Sequence, residues 1–368
     1  MVYYIFLVVL SVFSVGLRHI GVLKSGLRLS FMFIFLFLAL RYDFGNDYMG
    51  YFQGFLSLES ISDEDFYFKG NEYGWLYLNF IFKVVFGDFG FHLMLASIAA
   101  FTLYVLYRFT VRYIPPNYHV LAMLLFLLEP NNILVLSSAM RQSIAVGIFL
   151  LSFDYLVERK YVYYTLGILL ASLFHSSAIV FVGLILLNIV NWKIYLPYVI
   201  IGVLVLFALL NDLSGVFSQI NVLLESQESV YTVYTNQDFE EQSLGLGFVF
   251  IVLLYFAILV INRKENGLVL NTINKMTIVM LLLTIMALSL QIATRLGFYA
   301  FPIIVAAICL ALLRLRTIGN GALSAIEGPA VFVIILFFGY LNYEFWKSEV
   351  YSPFFMDYKT IFSSPLVE

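Results

Sequence analysis

Stretches of apolar residues recur along this chain from Tyr3 to Phe345, separated by short polar breaks. In hydrocarbon no water pairs with the backbone, so each stretch must satisfy its own N–H and C=O groups and becomes helical. The segments fall near 2–17, 27–40, 73–86, 90–107, 118–136, 139–157, 161–174, 176–190, 194–211, 245–262, 273–290, 295–313 and 329–346. Several are shorter than the ~20 residues that span a bilayer as a straight helix. These read as half-helices or re-entrant segments, which are tolerated only where the backbone faces protein or a wet cavity. The expected fold is therefore all-α: a polytopic membrane protein with about twelve crossings, plus short or re-entrant helices.

Composition narrows the class further. The 368 residues are 62% hydrophobic and 12% charged, against about 25% charged in a soluble domain, and mean hydropathy is +0.95. One membrane domain accounts for 1–368, with no room for a large soluble one. The single cysteine, Cys309, lies in an apolar helix and excludes an intramolecular disulfide. The histidines at 19, 92, 119 and 175 have no metal-ligand spacing, and no Gly-rich phosphate loop, nucleophile elbow or zinc motif occurs. No metal, cofactor or nucleic-acid partner is expected. No basic region precedes the first apolar run, and Arg18 follows it, so the first helix reads as retained, with its N-terminus outside.

Loop charges orient the helices. Arg18, Lys24 and Arg28 mark a cytoplasmic loop; Arg108 and Arg112, Arg159 and Lys160, Lys193, Arg263 and Lys264, and Arg314 and Arg316 mark later ones. Two long stretches are acidic instead. Residues 41–72 carry Asp43, Asp47, Glu59, Asp63, Glu64, Asp65 and Glu72 against Arg41 and Lys69, and 212–244 carry six carboxylates and no lysine or arginine. Both read as extracytoplasmic loops, and 347–368 as an outer tail. An odd number of crossings must separate the first outer loop from Arg108, yet two segments intervene, so 73–86 is expected only to dip into the membrane.

This topology brings Arg41, Arg141, His175 and Arg295 to helix ends on the outer face. A charged side chain costs roughly 2.5–3.5 kcal/mol at mid-helix and less near the ends, so four ionisable groups at one face suggest a polar site for an anion. Arg141 stands in the first turn of a helix after Ser137 and Ser138, where the helix dipole disfavours positive charge. A bound anion removes that conflict, whereas a structural arginine would bond loop carbonyls. Arg295 and Tyr299 lie one turn apart near Pro302, placing a guanidinium fork for phosphate oxygens or a snorkelling helix-end arginine. His175, beside Ser176 and Ser177, is suited to donate to phosphate or act as a base, if it is not simply a satisfied core histidine.

In Arg41-Tyr42-Asp43-Phe44-Gly45-Asn46-Asp47-Tyr48, Gly45 and Asn46 signal a turn, and Asn46 is placed to cap a short helix starting at Asp47. Tyr48, Tyr51, Phe52 and Phe55 then make an aromatic face at helical spacing. Such a face beside carboxylates suits sugar stacking, or else membrane anchoring. Asp47 is a catalytic candidate or a carboxylate favoured by the helix dipole. Asp63-Glu64-Asp65 reads as a solvated cluster rather than a metal triplet.

Arg41-x-x-x-Gly45-x-Asp47-Tyr48, Glu72-Tyr73-Gly74-Trp75, Met140-Arg141-Gln142-Ser143-Ile144-Ala145 and Ala171-Ser172-Leu173-Phe174-His175-Ser176-Ser177-Ala178 follow in order. Together they resemble the EpsG-type branch of bacterial Wzy-type polysaccharide polymerases. The likeness is carried by 41–180; beyond it lie hydropathy and Arg295-Leu296-Gly297-Phe298-Tyr299. Glu72-Tyr73 departs from a tighter Glu-Pro or Glu-Gly pattern, so Glu72 is given no role.

The resemblance implies a superfamily C-type glycosyltransferase at the outer face of the bacterial plasma membrane. It would join undecaprenyl-pyrophosphate-linked oligosaccharide repeats, moving the growing glycan to the non-reducing end of the next repeat, alongside a chain-length regulator protein. Asp47 and His175 are then expected as catalytic groups, Arg141, Arg295, Gln142 and Arg41 at the pyrophosphate, and Tyr48, Tyr51 and Tyr299 at the acceptor glycan. A ligase of finished glycan would need a similar site. A lipid-linked oligosaccharide flippase would carry basic residues through a central cavity, and an assembly scaffold would need no polar helix ends.

Overall fold

The computed structural model describes residues 2–60, 72–189, 245–263, 267–288, 291–318 and 324–364, with 191, 198, 202, 203 and 366. The acidic triplet Asp63-Glu64-Asp65 and the stretch 212–244 lie outside the described residues. Helices dominate: α1 Val2–His19, α2 Gly26–Ala39, α3 Tyr48–Ser57, α4 Tyr73–Phe86, α5 Gly90–Tyr113, α6 His119–Leu128, α7 Pro130–Ser137, α8 Met140–Val157, α9 Tyr161–Ser172 and α10 Leu184–Ile189. Then come α11 Leu246–Asn262, α12 Leu268–Met286, α13 Gln291–Ile318, α14 Ser324–Lys347 and α15 Ser352–Phe355. A 3-10 stretch, Ser176–Gly183, leads into α10.

Among the described residues six helices are long and apolar enough to cross a membrane, or seven if α6 and α7 count as one span bent by 70°. Four shorter apolar helices accompany them. Pro130 opens α7 and cannot donate to the preceding turn, which accounts for the bend. The buried carboxylate of Glu129 sits at this break and accepts from the Asn131 amide at 2.6 Å. Phe332, Leu336, Tyr340 and Tyr343 on α14 face outward, as do Tyr3, Phe6 and Phe13 on α1. Apolar faces of this extent belong against lipid. The protein is a multi-pass helical membrane protein.

The bundle has two chemically different ends. At one, Asp154 at the close of α8 accepts from Arg108 and Arg112, each at 2.7 Å, and from Tyr113 at 2.5 Å. Arg18 donates to His119 at 2.9 Å, and Tyr118 to Glu327 at 2.6 Å. Arg18, Arg108 and Arg112, three of the basic residues used to orient the topology, thus gather at this end. The other end gathers the close of α2, the starts of α3, α4 and α8, and the close of α9.

The helix α4 starts beside Leu173, where the Gly74 N–H donates to its carbonyl at 2.9 Å. A Cβ on Gly74 would stand 3.0 Å from that oxygen. It closes beside α3, with Lys83 donating to the Leu56 carbonyl at 2.8 Å. The next helix, α5, begins at this same end, where Phe91 packs edge-on to Tyr48. Both ends of α4 thus lie against segments that include the starts or closes of α3, α5 and α9.

Two short strands tie the C-terminal segment to the first loop. Arg41 pairs with Thr360 and Tyr42 with Lys359. Tyr358 stacks on Phe37 and donates to its carbonyl at 2.7 Å, and Lys359 bridges Asp43 at 3.2 Å. Gly45 donates to the Phe354 carbonyl at 3.0 Å with φ +117°, in the region that favours glycine. A Cβ there would meet the Ser138 hydroxyl at 2.6 Å. Gly45→Ala is therefore expected to cost about 1–3 kcal/mol, read as a lower thermal midpoint of the purified protein in detergent.

Candidate functional site

Arg141, Glu72 and His175 meet although they lie on three separate segments. Arg141 occupies the first turn of α8, Glu72 immediately precedes α4, and His175 stands between α9 and the 3-10 stretch with extended backbone. One guanidinium nitrogen of Arg141 donates to Glu72 Oε2 at 2.5 Å. Glu72 Oε1 lies 3.0 Å from His175 Nδ1 and accepts the Ser176 backbone N–H at 3.0 Å. The Glu72 side chain is 8% exposed, that of Arg141 18% and that of His175 13%. The carboxylate thus supplies the anion that a positive charge in a helix's first turn requires.

Burial alone would raise the Glu72 carboxyl. The hydrogen bond to His175, the Arg141 charge and the Ser176 N–H outweigh it and hold the group below the usual glutamate value. Arg141 also donates through Nε to the Tyr51 hydroxyl at 3.3 Å and lies over that ring, 5.9 Å from its centroid.

Asp47 stands just before α3, within the electrostatic reach of Arg295 and Arg141. Burial raises its carboxyl above the usual aspartate value, and the two arginines offset only part of this. Asn46 does not cap the helix as expected; the helix starts at Tyr48, and the Asn46 amide donates to Asp47 Oδ1 at 3.1 Å. Two guanidiniums, two carboxylates and an imidazole therefore share this end of the bundle.

Several expected roles change once contacts are known. Arg41 is 1% exposed and donates to the Leu38 carbonyl and, at 3.3 Å, to that of Ser137. It ties α2 to α7 and faces no open surface for pyrophosphate. The Gln142 amide is buried and donates to the Arg295 backbone carbonyl at 2.7 Å, so it holds the start of α13 against α8 rather than binding phosphate. Tyr48 is wholly buried, its hydroxyl donating to the Arg41 carbonyl at 3.4 Å. Tyr299, also wholly buried, pairs with the Ser177 hydroxyl at 3.3 Å and packs on Phe181 and Phe149.

The aromatic face of α3 forms at the expected spacing but turns inward: Tyr51 meets Trp75, and Phe52 and Phe55 meet Phe91. A short helix laid on a bundle buries the apolar stripe that periodicity reveals. None of Tyr48, Tyr51 and Tyr299 offers a ring face to a sugar in this arrangement. Glu72, to which sequence reasoning gave no role, is the hub. The signal for it was the unbalanced Arg141, which asks for an anion, and Glu72 is the last carboxylate before an apolar helix on the same face. Among the described residues no group of three or more His, Cys, Asp or Glu side chains is placed to hold a metal ion.

A bundle of apolar helices that brings these charges to one end defines a multi-pass membrane protein with a single-sided polar site. Residues 27–360 match the EpsG family, and the chain belongs to that family, which comprises Wzy-type polysaccharide polymerases. The match runs well past the 41–180 stretch that carried the resemblance. No curated protein and no solved structure matches the chain. Family membership gives a polysaccharide polymerase-type function with glycosyltransferase-like activity.

The two carboxylates predict opposite pH effects on stability. The depressed Glu72 carboxyl contributes stability above the ordinary glutamate range, and this is lost as pH falls through its lower folded value. Glu72→Gln should therefore destabilise at neutral pH, on the order of 2 kcal/mol, and less at pH values below that range. The raised Asp47 carboxyl works the other way: its stability is intact below the ordinary aspartate range and is lost as pH rises through the folded value. Asp47→Asn should then raise the thermal midpoint at neutral pH and leave it unchanged in acid. Thermal unfolding of both variants across pH checks the pair of signs.

Proposed function

We propose that this protein polymerises a polysaccharide by joining undecaprenyl-pyrophosphate-linked oligosaccharide repeats at the outer face of the bacterial plasma membrane. The observation that carries the reading is the cluster of Arg141, Arg295, Glu72, His175 and Asp47 at the less basic end of the bundle. Loop charge supports assigning that end to the outside, since the opposite end holds Arg18, Arg108 and Arg112.

In this reaction a hydroxyl at the non-reducing end of the incoming repeat attacks the anomeric carbon of the growing chain. The bond from that carbon to the pyrophosphate oxygen breaks, and the electron pair leaves with the pyrophosphate. Arg141 and Arg295 stabilise the charge that develops there. A forked guanidinium matches phosphate oxygens, and Arg141 is preoriented by Tyr51 and Glu72. The proton of the attacking hydroxyl passes to His175 or Asp47. A long glycan and a lipid tail need a site open to both water and bilayer, which helix ends provide. A chain-length regulator would act on this same face.

The charge distribution favours an enzyme over a flippase. Arg18, Arg108 and Arg112 gather at one end, Lys275 within α12 is buried and donates to the Asn188 carbonyl at 2.7 Å, and the buried group at the α6–α7 break is the acid Glu129, a set that does not suit the passage of pyrophosphate. Deletion of the gene in its host should collapse the polysaccharide length ladder to single capped repeats. Arg141→Ala, at normal expression, should fail to restore it, with loss of activity of about 10²–10³-fold. Loss of the single-repeat product as well would indicate flipping or ligation, and an unchanged ladder would refute the assignment.

A further inference from the structure

We propose that Glu72 is a positioning residue that holds His175 with its proton on Nδ1, making Nε2 the proton-accepting atom of the site. The proposal rests on the polymerase reading for its reaction, but its structural half follows from counting donors and acceptors. The Ser176 backbone N–H has only a hydrogen to offer, and it points at Glu72 Oε1 from 3.0 Å. Arg141 likewise only donates, at 2.5 Å to Oε2, and its charge keeps the carboxylate ionised. An ionised carboxylate has only lone pairs to give. The third partner, His175 Nδ1 at 3.0 Å from Oε1, must therefore bring the hydrogen. Neutral imidazole carries one N–H, so Nε2 is left with a free lone pair.

The fixture does not depend on the histidine's own rotamer. Glu72 is anchored by a backbone N–H at the first residue of the 3-10 stretch and by Arg141, itself held by Tyr51. The Gly74 N–H on the Leu173 carbonyl fixes the approach of α4 to the loop bearing the histidine. A carboxylate behind an imidazole orients the ring, selects the tautomer and stabilises the cation that forms on proton uptake. Asp47, the other candidate, is held differently: its carboxylate accepts from the neighbouring Asn46 amide, and burial raises its carboxyl.

In the transfer step the acceptor O–H proton moves to His175 Nε2 as the new O–C bond forms. The old C–O bond breaks with its electron pair on the pyrophosphate, and the imidazolium later returns its proton to water. Asp47 is then left to orient the acceptor hydroxyl.

The test uses the purified full-length protein in detergent micelles, labelled with 15N-histidine. Nitrogen NMR separates bare from protonated ring nitrogens, and the His175→Gln spectrum identifies the resonance. Wild type should show Nδ1 protonated and Nε2 bare. In Glu72→Gln the Arg141 charge keeps the carbonyl oxygen at the Oε2 position, the amide NH2 takes the Oε1 position facing Nδ1 at the expense of the Ser176 N–H bond, and the proton should move to Nε2. A wild-type Nε2–H form, or no shift in Glu72→Gln, overturns the proposal.

In host membranes supplied with the host's own lipid-linked repeats, Glu72→Gln should slow chain extension by about 10²-fold or more. Glu72→Asp, which keeps the carboxylate, should restore part of the rate. Normal extension by Glu72→Gln would also overturn it. If deletion of the gene leaves the ladder unchanged, the polymerase reading fails while the NMR result still decides whether Glu72 controls His175.

Discussion

An arginine in the first turn of a membrane helix needs an anion, and at Arg141 the rest of the site is arranged around that need. The dipole of α8 and the low dielectric at its end both oppose the charge. Glu72 answers it, but only because α4 is laid against the end of α9 by a hydrogen bond to a glycine N–H. Once Glu72 is there, His175 and the Ser176 N–H find their acceptor in its second oxygen. Tyr51, which serves Arg141 from the opposite side, is positioned by the inward aromatic face of α3. Four chain segments converge because each satisfies a group that the others would leave unpaired.

Such a site is close to charge-neutral before any substrate arrives. On the proposed reading a pyrophosphate would add negative charge to a place where Arg141 already has a partner, so its binding would have to compete with Glu72 or share the guanidinium with it. In the proposed reaction this would limit how tightly the resting protein holds phosphate and would favour release of the lipid product.

The class of fold was legible because apolar runs and loop charges obey rules that act on single segments. The expected dip of 73–86 followed from parity alone, and 73–86 forms the helix α4. The grouping of Arg141, His175, Arg295 and Asp47 was legible too, since each stood at a helix end on one face. Individual contacts were not. Arg41 resembles the other arginines in sequence but is sealed between Leu38 and Ser137 carbonyls. Tyr48 and Tyr51 have the spacing of a sugar-binding face and of a core face alike, and only packing separates these. Glu72 was passed over because its neighbours were judged by a family pattern instead of by the charge it neutralises. Long-range pairing of this kind leaves no local signature: 69 positions separate Glu72 from Arg141, and 103 separate it from His175.

The clasp between Arg41-Tyr42 and Lys359-Thr360 has a bearing on how the protein is made. Lys359 and Asp43 are joined across 316 positions, with almost every helix of the bundle between them. As the chain is inserted from its N-terminus, the loop carrying Asp47 emerges early and waits, its strand partner still unsynthesised. Only when residues 354–360 arrive does the first loop gain its second strand and the Phe354 carbonyl that receives Gly45. A chain shorter than this therefore lacks a settled first loop, and the site is not finished until residues 354–360 have been made.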